Sequence, residues 1–155
     1  MADGIFEIPK PINEPVLDYR PGSVERDALK RKLESMTSET VEIPLVIGGQ
    51  EVRTGELLPM SMPHRHHHRL GFYHQAGERE IKMAMNAADA AWADWSSTPW
   101  EERAAVFLKA AELLAGEYRP LLNAATMLCQ SKTAYQAEID SACELIDFLR
   151  FNASF

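Results

Sequence analysis

Long apolar runs are absent from this 155-residue sequence, and so is any excess of positive charge. No stretch approaches the roughly 20 apolar residues that a membrane-spanning helix needs. The formal net charge is −7, whereas nucleic acids and anionic membrane surfaces are bound by clustered lysine and arginine. We therefore expect neither nucleic acid nor a membrane to be the main partner.

The first residues have none of the features of a targeting segment. The start, MADGIFEIPKPINEP, lacks the basic and apolar regions of a secretory signal, and it is acidic and poor in arginine, unlike a transit peptide. Only two cysteines occur, Cys129 and Cys143, and both lie within helical patterns. These features predict reduced thiols and a cytoplasmic location rather than a disulfide framework.

Two kinds of catalytic signal are also missing. The phosphate-binding loops GxGxxG and GxxxxGK[ST] do not occur. A nucleophilic cysteine needs a lowered pKa and a nearby base, yet neither Cys129 nor Cys143 has a histidine close by in sequence. We expect both cysteines to be small core residues, and we predict no catalytic and no cofactor-binding residue.

The length and composition are those of one soluble globular domain, with 46% hydrophobic and 25% charged residues. Residues 1–22 hold four prolines, which exclude a regular helix: Pro9, Pro11, Pro15 and Pro21. We therefore predict that residues 1–22 form an extended arm that lies across a surface formed elsewhere.

The residues after the arm predict one helix and a small β unit. Ser23 can cap a helix that begins in SVERDALKRKLESM. The following run, VEIPLVIGGQEVRTG, places Gly48–Gly49 between two β-rich stretches, which predicts a hairpin. HHHRLGFYHQA predicts a third strand.

Beyond the third strand the apolar spacing changes to three and four, which predicts four helices. The first carries an apolar stripe of six residues: Ile81, Ala84, Met85, Ala88, Trp92 and Trp95. In TPWE, Thr98 opens a predicted capping box with Pro99 at the first helical position, and Gly116 ends that helix. Two further helices are predicted at about 120–128 and from about Lys132 onward.

A histidine cluster is the first candidate site. His64, His66 and His68 would share one face of a strand, and three imidazoles on one face can bind zinc. Arg65 and Arg69 are interleaved, however, and no carboxylate or cysteine nearby offers a fourth ligand. We favour a polar strand face that contacts other protein, and we predict no metal ligand.

Glu144 is the stronger candidate. At 100° per residue, the last helix has one broad apolar face, formed by Tyr135, Ile139, Ala142, Cys143, Ile146 and Leu149. Glu144 lies nearly opposite, in a stripe with Ala137, Phe148 and Phe151. A carboxylate among aromatic rings needs a partner, because burying it unpaired costs several kcal/mol. That partner is either an arginine or lysine of the protein or a cationic group of a ligand.

Four segments resemble one known family: NEPVLDYRPGSVERDAL, IPLVIGGQEVRTG, FLKAAELLAGEYRPLLNAATMLCQSKTAYQAEID and SACELIDFLRFN. They are similar to the N-terminal part of the 1-pyrroline-5-carboxylate (glutamate-γ-semialdehyde) dehydrogenase branch of the aldehyde dehydrogenase superfamily. The resemblance runs from about Pro9 to Phe155. One departure is Cys129, which stands where the family usually has glycine.

The resemblance implies the N-terminal part of an α/β fold, present here mostly as helix with an arm and a small hairpin unit. Residues 23–155 would be an incomplete NAD-binding domain, with the catalytic domain absent. The family enzymes are longer and oxidise the semialdehyde to glutamate in proline degradation, with NAD as cofactor. Their nucleophilic cysteine, hydrolytic glutamate and NAD-binding segments come later in the chain. We therefore expect these 155 residues to be an inactive N-terminal fragment.

One functional residue carries over from the resemblance. Glu144 matches a glutamate that lies near the amino group of the substrate in this family, so we predict a substrate-binding role for it. The expected partner is the remainder of the dehydrogenase or a homologous subunit. An alternative is a standalone helical module that binds a homologous subunit, and a third is a metal-binding protein that uses the histidines.

Overall fold

A computed structural model describes residues 4–155. In chain order its elements are α1 (Val24–Ser38), β1 (Val41–Ile43), β2 (Leu45–Ile47), β3 (Gln50–Val52), β4 (Leu57–Met62), β5 (Arg65–His74), α2 (Glu78–Ser97), α3 (Trp100–Ala115), α4 (Arg119–Gln130), α5 (Ala134–Ala137), a π-helical segment (Glu138–Cys143) and α6 (Glu144–Ser154). The chain is mostly helical with a small β unit, as the sequence predicts.

Residues 4–22 contain neither helix nor strand. The first helix begins where the sequence predicts, because the Ser23 hydroxyl accepts a hydrogen bond from the Arg26 backbone N–H at 3.3 Å. The arm lies across a surface that later elements of the chain form. Its residues 13–19 pack against α4, the π-helical segment and α6 of the same chain, through contacts described below.

The β unit contains two small sheets. β2 and β3 form the predicted antiparallel hairpin, and Gly48 and Gly49 both adopt positive φ, +58° and +75°, as a tight hairpin turn requires. β1 pairs parallel with β5, at a close approach that requires glycine. A Cβ on Gly71 would lie only 2.2 Å from the Val41 carbonyl oxygen.

Two elements of the β unit differ from the prediction. The apolar run VEIPLVI is not one strand, because Pro44 separates β1 from β2 and the two strands join different sheets. The sequence also gives little sign of β4, whose Pro59 argues against a strand. β4 nevertheless pairs antiparallel with β5 at the edge of the three-stranded sheet, where a missing N–H is tolerated.

Thr98 caps a different helix from the one predicted. Its hydroxyl donates to the Asp94 carbonyl at 2.8 Å and so closes the end of α2, and α3 begins after Pro99 without a side-chain cap. The predicted end of α3 at Gly116 is confirmed. None of the helices in residues 4–155 is long and apolar enough to cross a membrane.

Three buried clusters join the elements. They are Tyr19, Leu29 and Ala124 between arm, α1 and α4; Met62, Leu70 and Leu128 between the three-stranded sheet and α4; and Ala111, Ala142 and Ile146 between α3 and the last helices. The predicted stripe of α2 lies outside them, with Trp92 71% and Met85 61% exposed. The core therefore surrounds α4 and the C-terminal helices, while α2 packs mainly on the β2–β3 hairpin.

Candidate functional site

An open cavity of about 630 Å³ lies between the arm and the C-terminal helices. Arm residues form one side, and residues from the π-helical segment and α6 form the other. Its lining consists of Asn13, Glu14, Val16, Ile139, Asp140, Cys143, Glu144, Asp147, Phe148 and Phe151. The cavity thus combines apolar surface with a row of carboxylates, a composition that suits a small cationic or zwitterionic ligand.

Glu144 lines this cavity with Phe148 and Phe151, as the helical spacing predicts. The predicted stripe is only partly right, since Ala137 is completely buried and does not line the cavity. The π-helical segment lies between Ala137 and Glu144 and has more residues per turn than the 3.6 of an α-helix. Ala137 is therefore rotated away from the side of the helix that carries Glu144. Glu144 itself is exposed in this chain.

Four carboxylates line the cavity, and three of them are already paired. Glu14 accepts from two arginines, Asp140 pairs with Lys132 at 2.7 Å, and Asp147 accepts two hydrogen bonds from the arm. The Glu144 backbone N–H donates to the Ile139 carbonyl, but within residues 4–155 no hydrogen bond or ion pair engages its carboxylate. Glu144 is therefore the carboxylate of the cavity that is available to a cationic group of a ligand.

A second glutamate, which the sequence did not single out as a site, is the most deeply buried charge. Glu138 has no exposed surface and accepts hydrogen bonds from the Leu17 N–H at 2.8 Å, the Tyr19 hydroxyl at 2.7 Å and the Asn123 amide at 2.8 Å. The Arg119 guanidinium donates to both of its oxygens. Such saturation lets a carboxylate remain charged in the core.

Arg119 extends this cluster into a chain of alternating charges. Its guanidinium also donates to Glu14 and, at 2.7 Å, to the Pro15 carbonyl. Glu14 in turn accepts from Arg150 of α6 at 2.6 Å. In space these ion pairs run from Glu138 through Arg119 and Glu14 to Arg150, with a net charge of zero. They fix the arm to both α4 and α6. We call these four residues the buried ion chain.

The surroundings of Glu138 determine its protonation. Burial raises its pKa, but the hydrogen bonds from Arg119, the Leu17 N–H, Tyr19 and Asn123 outweigh burial, so the pKa lies below its usual range. For Tyr19, burial and the neighbouring Glu138 carboxylate raise the pKa well above its usual value. Tyr19 therefore stays a neutral donor and Glu138 a charged acceptor at physiological pH.

This arrangement predicts acid sensitivity. Because the folded-state pKa of Glu138 is depressed, its contribution to stability is present above about pH 4.3 and is lost as the pH falls through the folded-state pKa. We expect the difference in unfolding free energy between wild type and Glu138→Gln to shrink steadily over that acid window. Urea unfolding at a series of pH values measures it. Glu112→Gln, at an exposed pair with Lys109, is the control, and an equally pH-dependent difference for it would contradict the prediction.

The arm adopts a conformation that this network requires. Tyr19 has φ +50°, a value that is uncommon outside glycine. This conformation costs free energy, which the surrounding contacts must offset. Its buried ring packs with Leu29 and Ala124, and its hydroxyl bonds Glu138 at 2.7 Å and accepts from Asn123 at 2.7 Å. The strained residue is thus held by both packing and hydrogen bonds.

The cysteines differ in burial from each other. Cys143 is buried, as predicted, while Cys129 is exposed, which contradicts its prediction as a core residue. Burial and the nearby Glu138 carboxylate raise the pKa of the Cys143 thiol to about 11. Desolvation also raises the pKa of the Cys129 thiol. Neither thiol is therefore set up as a thiolate nucleophile near neutral pH.

The histidines of the predicted strand face contact separate groups. The His64 ring bonds the Ser131 hydroxyl at 2.7 Å, and His68 bonds the Thr37 carbonyl at 3.0 Å. His64 precedes β5 and lies in the β4–β5 turn, so the strand geometry assumed for all three residues does not apply to it. Within the described residues no group of three or more metal-ligating side chains converges. His64 and His68 thus join the β4–β5 turn and β5 to the C-terminal ends of α4 and α1.

A model of the aldehyde dehydrogenase family matches residues 51–155. Delta-1-pyrroline-5-carboxylate dehydrogenase of Agaricus bisporus is 47% identical over 151 residues, which cover 97% of this chain and 28% of that protein. The mitochondrial enzyme of the same name from Dictyostelium discoideum is 45% identical over 148 residues, covering 96% and 26%.

Among solved structures, the Delta-pyrroline-5-carboxylate dehydrogenase from Mycobacterium tuberculosis bound with NAD is similar over 99% of this chain and 29% of that chain. The TM-score is 0.96 and the sequence identity is 49%. The chain thus spans less than a third of the length of each of these relatives.

Proposed function

The chain belongs to the aldehyde dehydrogenase family, with the fold of its N-terminal part, and we propose that it forms the N-terminal segment of an NAD-dependent enzyme that oxidises L-glutamate γ-semialdehyde to glutamate in proline degradation. The observation that carries the proposal is the match of nearly the whole chain, at 45–49% identity, to proteins named for that substrate's cyclic form. On this proposal residues 4–22 are an arm, and the later residues are an incomplete part of the NAD-binding domain.

Glu144 has the clearest chemical role in this proposal. The substrate is an amino acid, and its ammonium group needs an anionic partner that no other group has already taken. Glu144 is the unpaired carboxylate of the cavity among residues 4–155, and Phe148 and Phe151 beside it supply apolar surface for the aliphatic part of the substrate. A charge-assisted hydrogen bond to an ammonium contributes about 1.5–3 kcal/mol.

The residues described do not fit the cofactor. A dinucleotide is usually bound by a glycine-rich turn between a strand and the start of a helix, whereas Gly48–Gly49 joins the two strands of a hairpin. In the described part of the chain, the turn that leads from a strand into a helix is that between β5 and α2, and it holds a single glycine, Gly77. On this proposal NAD binds to the later segments of the enzyme, and these 155 residues contribute to the substrate side.

Two activity measurements test the proposal. The purified 155-residue chain should form no NADH from the semialdehyde above a blank, because both of its thiols have raised pKa values and no nucleotide-binding turn lies in residues 4–155. A hybrid enzyme, with residues 4–155 replacing the matching 29% of the Mycobacterium tuberculosis dehydrogenase, should oxidise the semialdehyde with kcat/KM within about tenfold of the parent.

The two possible failures have different meanings. NADH formation by the 155 residues alone would contradict the idea that they are an incomplete segment. A hybrid that folds and oxidises a simple aliphatic aldehyde but not the semialdehyde would contradict the substrate assignment. Binding of the 155-residue chain to the intact dehydrogenase, together with a folded hybrid that oxidises neither aldehyde, would instead support the alternative, an interaction module that binds a homologous subunit.

The partner proposal rests on the exposed stripe of α2. Trp92, Met85 and Ile81 are 71%, 61% and 55% exposed, and an apolar surface of this kind usually packs against other protein. We propose that the remainder of the dehydrogenase, or a homologous subunit, covers it. The cytoplasmic location stays a prediction, since the Dictyostelium relative is named as mitochondrial.

A further inference from the structure

One side chain of α6 holds the arm against the cavity. Asp147 accepts a hydrogen bond from the Glu14 backbone N–H at 2.6 Å and another from the Asn13 side-chain amide at 2.6 Å. Asp147 follows Glu144 by three residues, so the two carboxylates lie on the same side of α6, and both line the cavity. The arm is therefore fixed directly beside the unpaired carboxylate.

The arm is anchored again a few residues further on. The Pro15 carbonyl accepts from Arg119 at 2.7 Å, and the Leu17 N–H donates to Glu138 at 2.8 Å. Between these anchors Val16 lines the cavity with its apolar side chain. Residues 13–16 thus form one wall of the cavity. Asp147 holds this wall at residues 13 and 14, and the buried ion chain holds it at residues 15–17.

The carboxylates that hold the arm already accept hydrogen bonds, whereas the Glu144 carboxylate accepts none within residues 4–155. Both oxygens of Asp147 accept hydrogen bonds from the arm, and the two oxygens of Glu14 accept from Arg119 and Arg150. A cationic ligand group in the cavity would therefore pair most readily with Glu144, and residues of the arm would form one wall beside that pair. A protein wall beside such a pair replaces part of the surrounding water, which lowers the effective dielectric constant and strengthens the pair.

We propose that Asp147 is a positioning residue for substrate selectivity: by holding residues 13–16 over the cavity, it strengthens the pairing of Glu144 with a primary ammonium group of the substrate. This inference rests on the proposed function, because it takes the ammonium to be that of the amino-acid semialdehyde. Asp147 does not touch the substrate in this account. It acts through the arm, and its effect should be on binding rather than on the chemical step.

The test compares Asp147→Ala with Asp140→Ala in the hybrid enzyme. Asp140 lines the same cavity but pairs with Lys132 and has no hydrogen bond to the arm, so its replacement removes a cavity carboxylate without releasing the arm. Hydrogen exchange at the Glu14 amide reports the Asp147 contact directly, and exchange at the Leu17 amide reports the second anchor. Kinetics are measured with the semialdehyde and with a simple aliphatic aldehyde.

For Asp147→Ala we expect exchange at the Glu14 amide to accelerate by about tenfold or more, while exchange at the Leu17 amide stays within about twofold. The KM for the semialdehyde should rise about 5- to 10-fold with kcat nearly unchanged, and the aliphatic aldehyde should be unaffected. Asp140→Ala should show neither the faster exchange nor the altered substrate ratio. Asp147→Asn keeps an acceptor oxygen at nearly the same volume, so it should fall between wild type and alanine.

Three results would overturn the inference. Unchanged Glu14 exchange would show that Asp147 does not hold the arm, and faster exchange with an unchanged KM would show that the arm does not affect substrate binding. Equal effects of Asp147→Ala and Asp140→Ala would mean that cavity charge alone matters. An unaltered substrate ratio in Glu144→Gln would instead overturn the proposed role of Glu144. Failure of the Asp147 inference can therefore be distinguished from failure of the proposed function.

Discussion

Replacing Arg119 with alanine should destabilise the chain by about 3–5 kcal/mol, the cost typical of breaking a buried ion pair from one side. The Arg119 side chain is 5% exposed and neutralises Glu138, which is fully buried, and Glu14, which is 9% exposed. Its removal leaves Glu138 without a cationic partner and frees the Pro15 carbonyl. Urea unfolding of the purified chain, followed by circular dichroism, measures the change.

Arg53 provides a matched control at the surface. It also contacts two carboxylates, Glu42 at 3.3 Å and Glu51 at 2.7 Å, but its side chain is 52% exposed. Water solvates all three groups, so Arg53→Ala should destabilise the chain far less than Arg119→Ala. If Arg119→Ala proved no more destabilising than Arg53→Ala, the buried ion chain would not be the main link between the arm and the helices.

Local signals in the sequence predicted the helix boundaries and the hairpin well. Ser23 caps α1, Gly116 ends α3, and Gly48–Gly49 forms the hairpin turn, because each depends on the residue's own chemistry within three or four positions. Thr98 was assigned to the wrong helix. Its hydroxyl could serve the end of α2 or the start of α3, and spacing alone does not decide between them.

β4 and the Glu138 cluster could not be predicted, because both depend on contacts with residues that are distant in sequence. β4 forms because β5 offers it a partner, so its six residues carry little signal of their own. Glu138 was missed for a related reason. Its partners Leu17, Tyr19 and Arg119 are 121, 119 and 19 residues away in sequence, and no local pattern connects them.

The π-helical segment explains why the predicted stripe around Glu144 holds on its C-terminal side and fails on its N-terminal side. Phe148 and Phe151 follow Glu144 within regular α6, so the spacing of four and seven residues holds. Ala137 precedes the π-helical segment, where that spacing fails, and it lies in the core instead. A π-helical segment leaves no clear trace in the apolar pattern, although such segments are frequent at functional sites.

Replacing Glu144 with glutamine in the hybrid enzyme should lower kcat/KM for the amino-acid semialdehyde by about 10- to 100-fold. Glutamine keeps the shape of the side chain but removes the charge, so it loses the charge-assisted hydrogen bond to the ammonium group. A simple aliphatic aldehyde has no ammonium group, and its kcat/KM should change little. The quantity to measure is the ratio of kcat/KM for the two substrates in wild type and variant.

A structural role for Glu144 would give a different result. If an arginine or lysine of the later segments paired with Glu144 in the whole enzyme, Glu144→Gln would leave that cation unpaired, destabilise the fold and depress both substrates alike. Glu144 has no such partner within residues 4–155, so the cavity leaves it available to either kind of cation. An unchanged substrate ratio, together with a lowered unfolding midpoint, would assign Glu144 to the structure, whereas a changed ratio at an unchanged midpoint would assign it to the substrate.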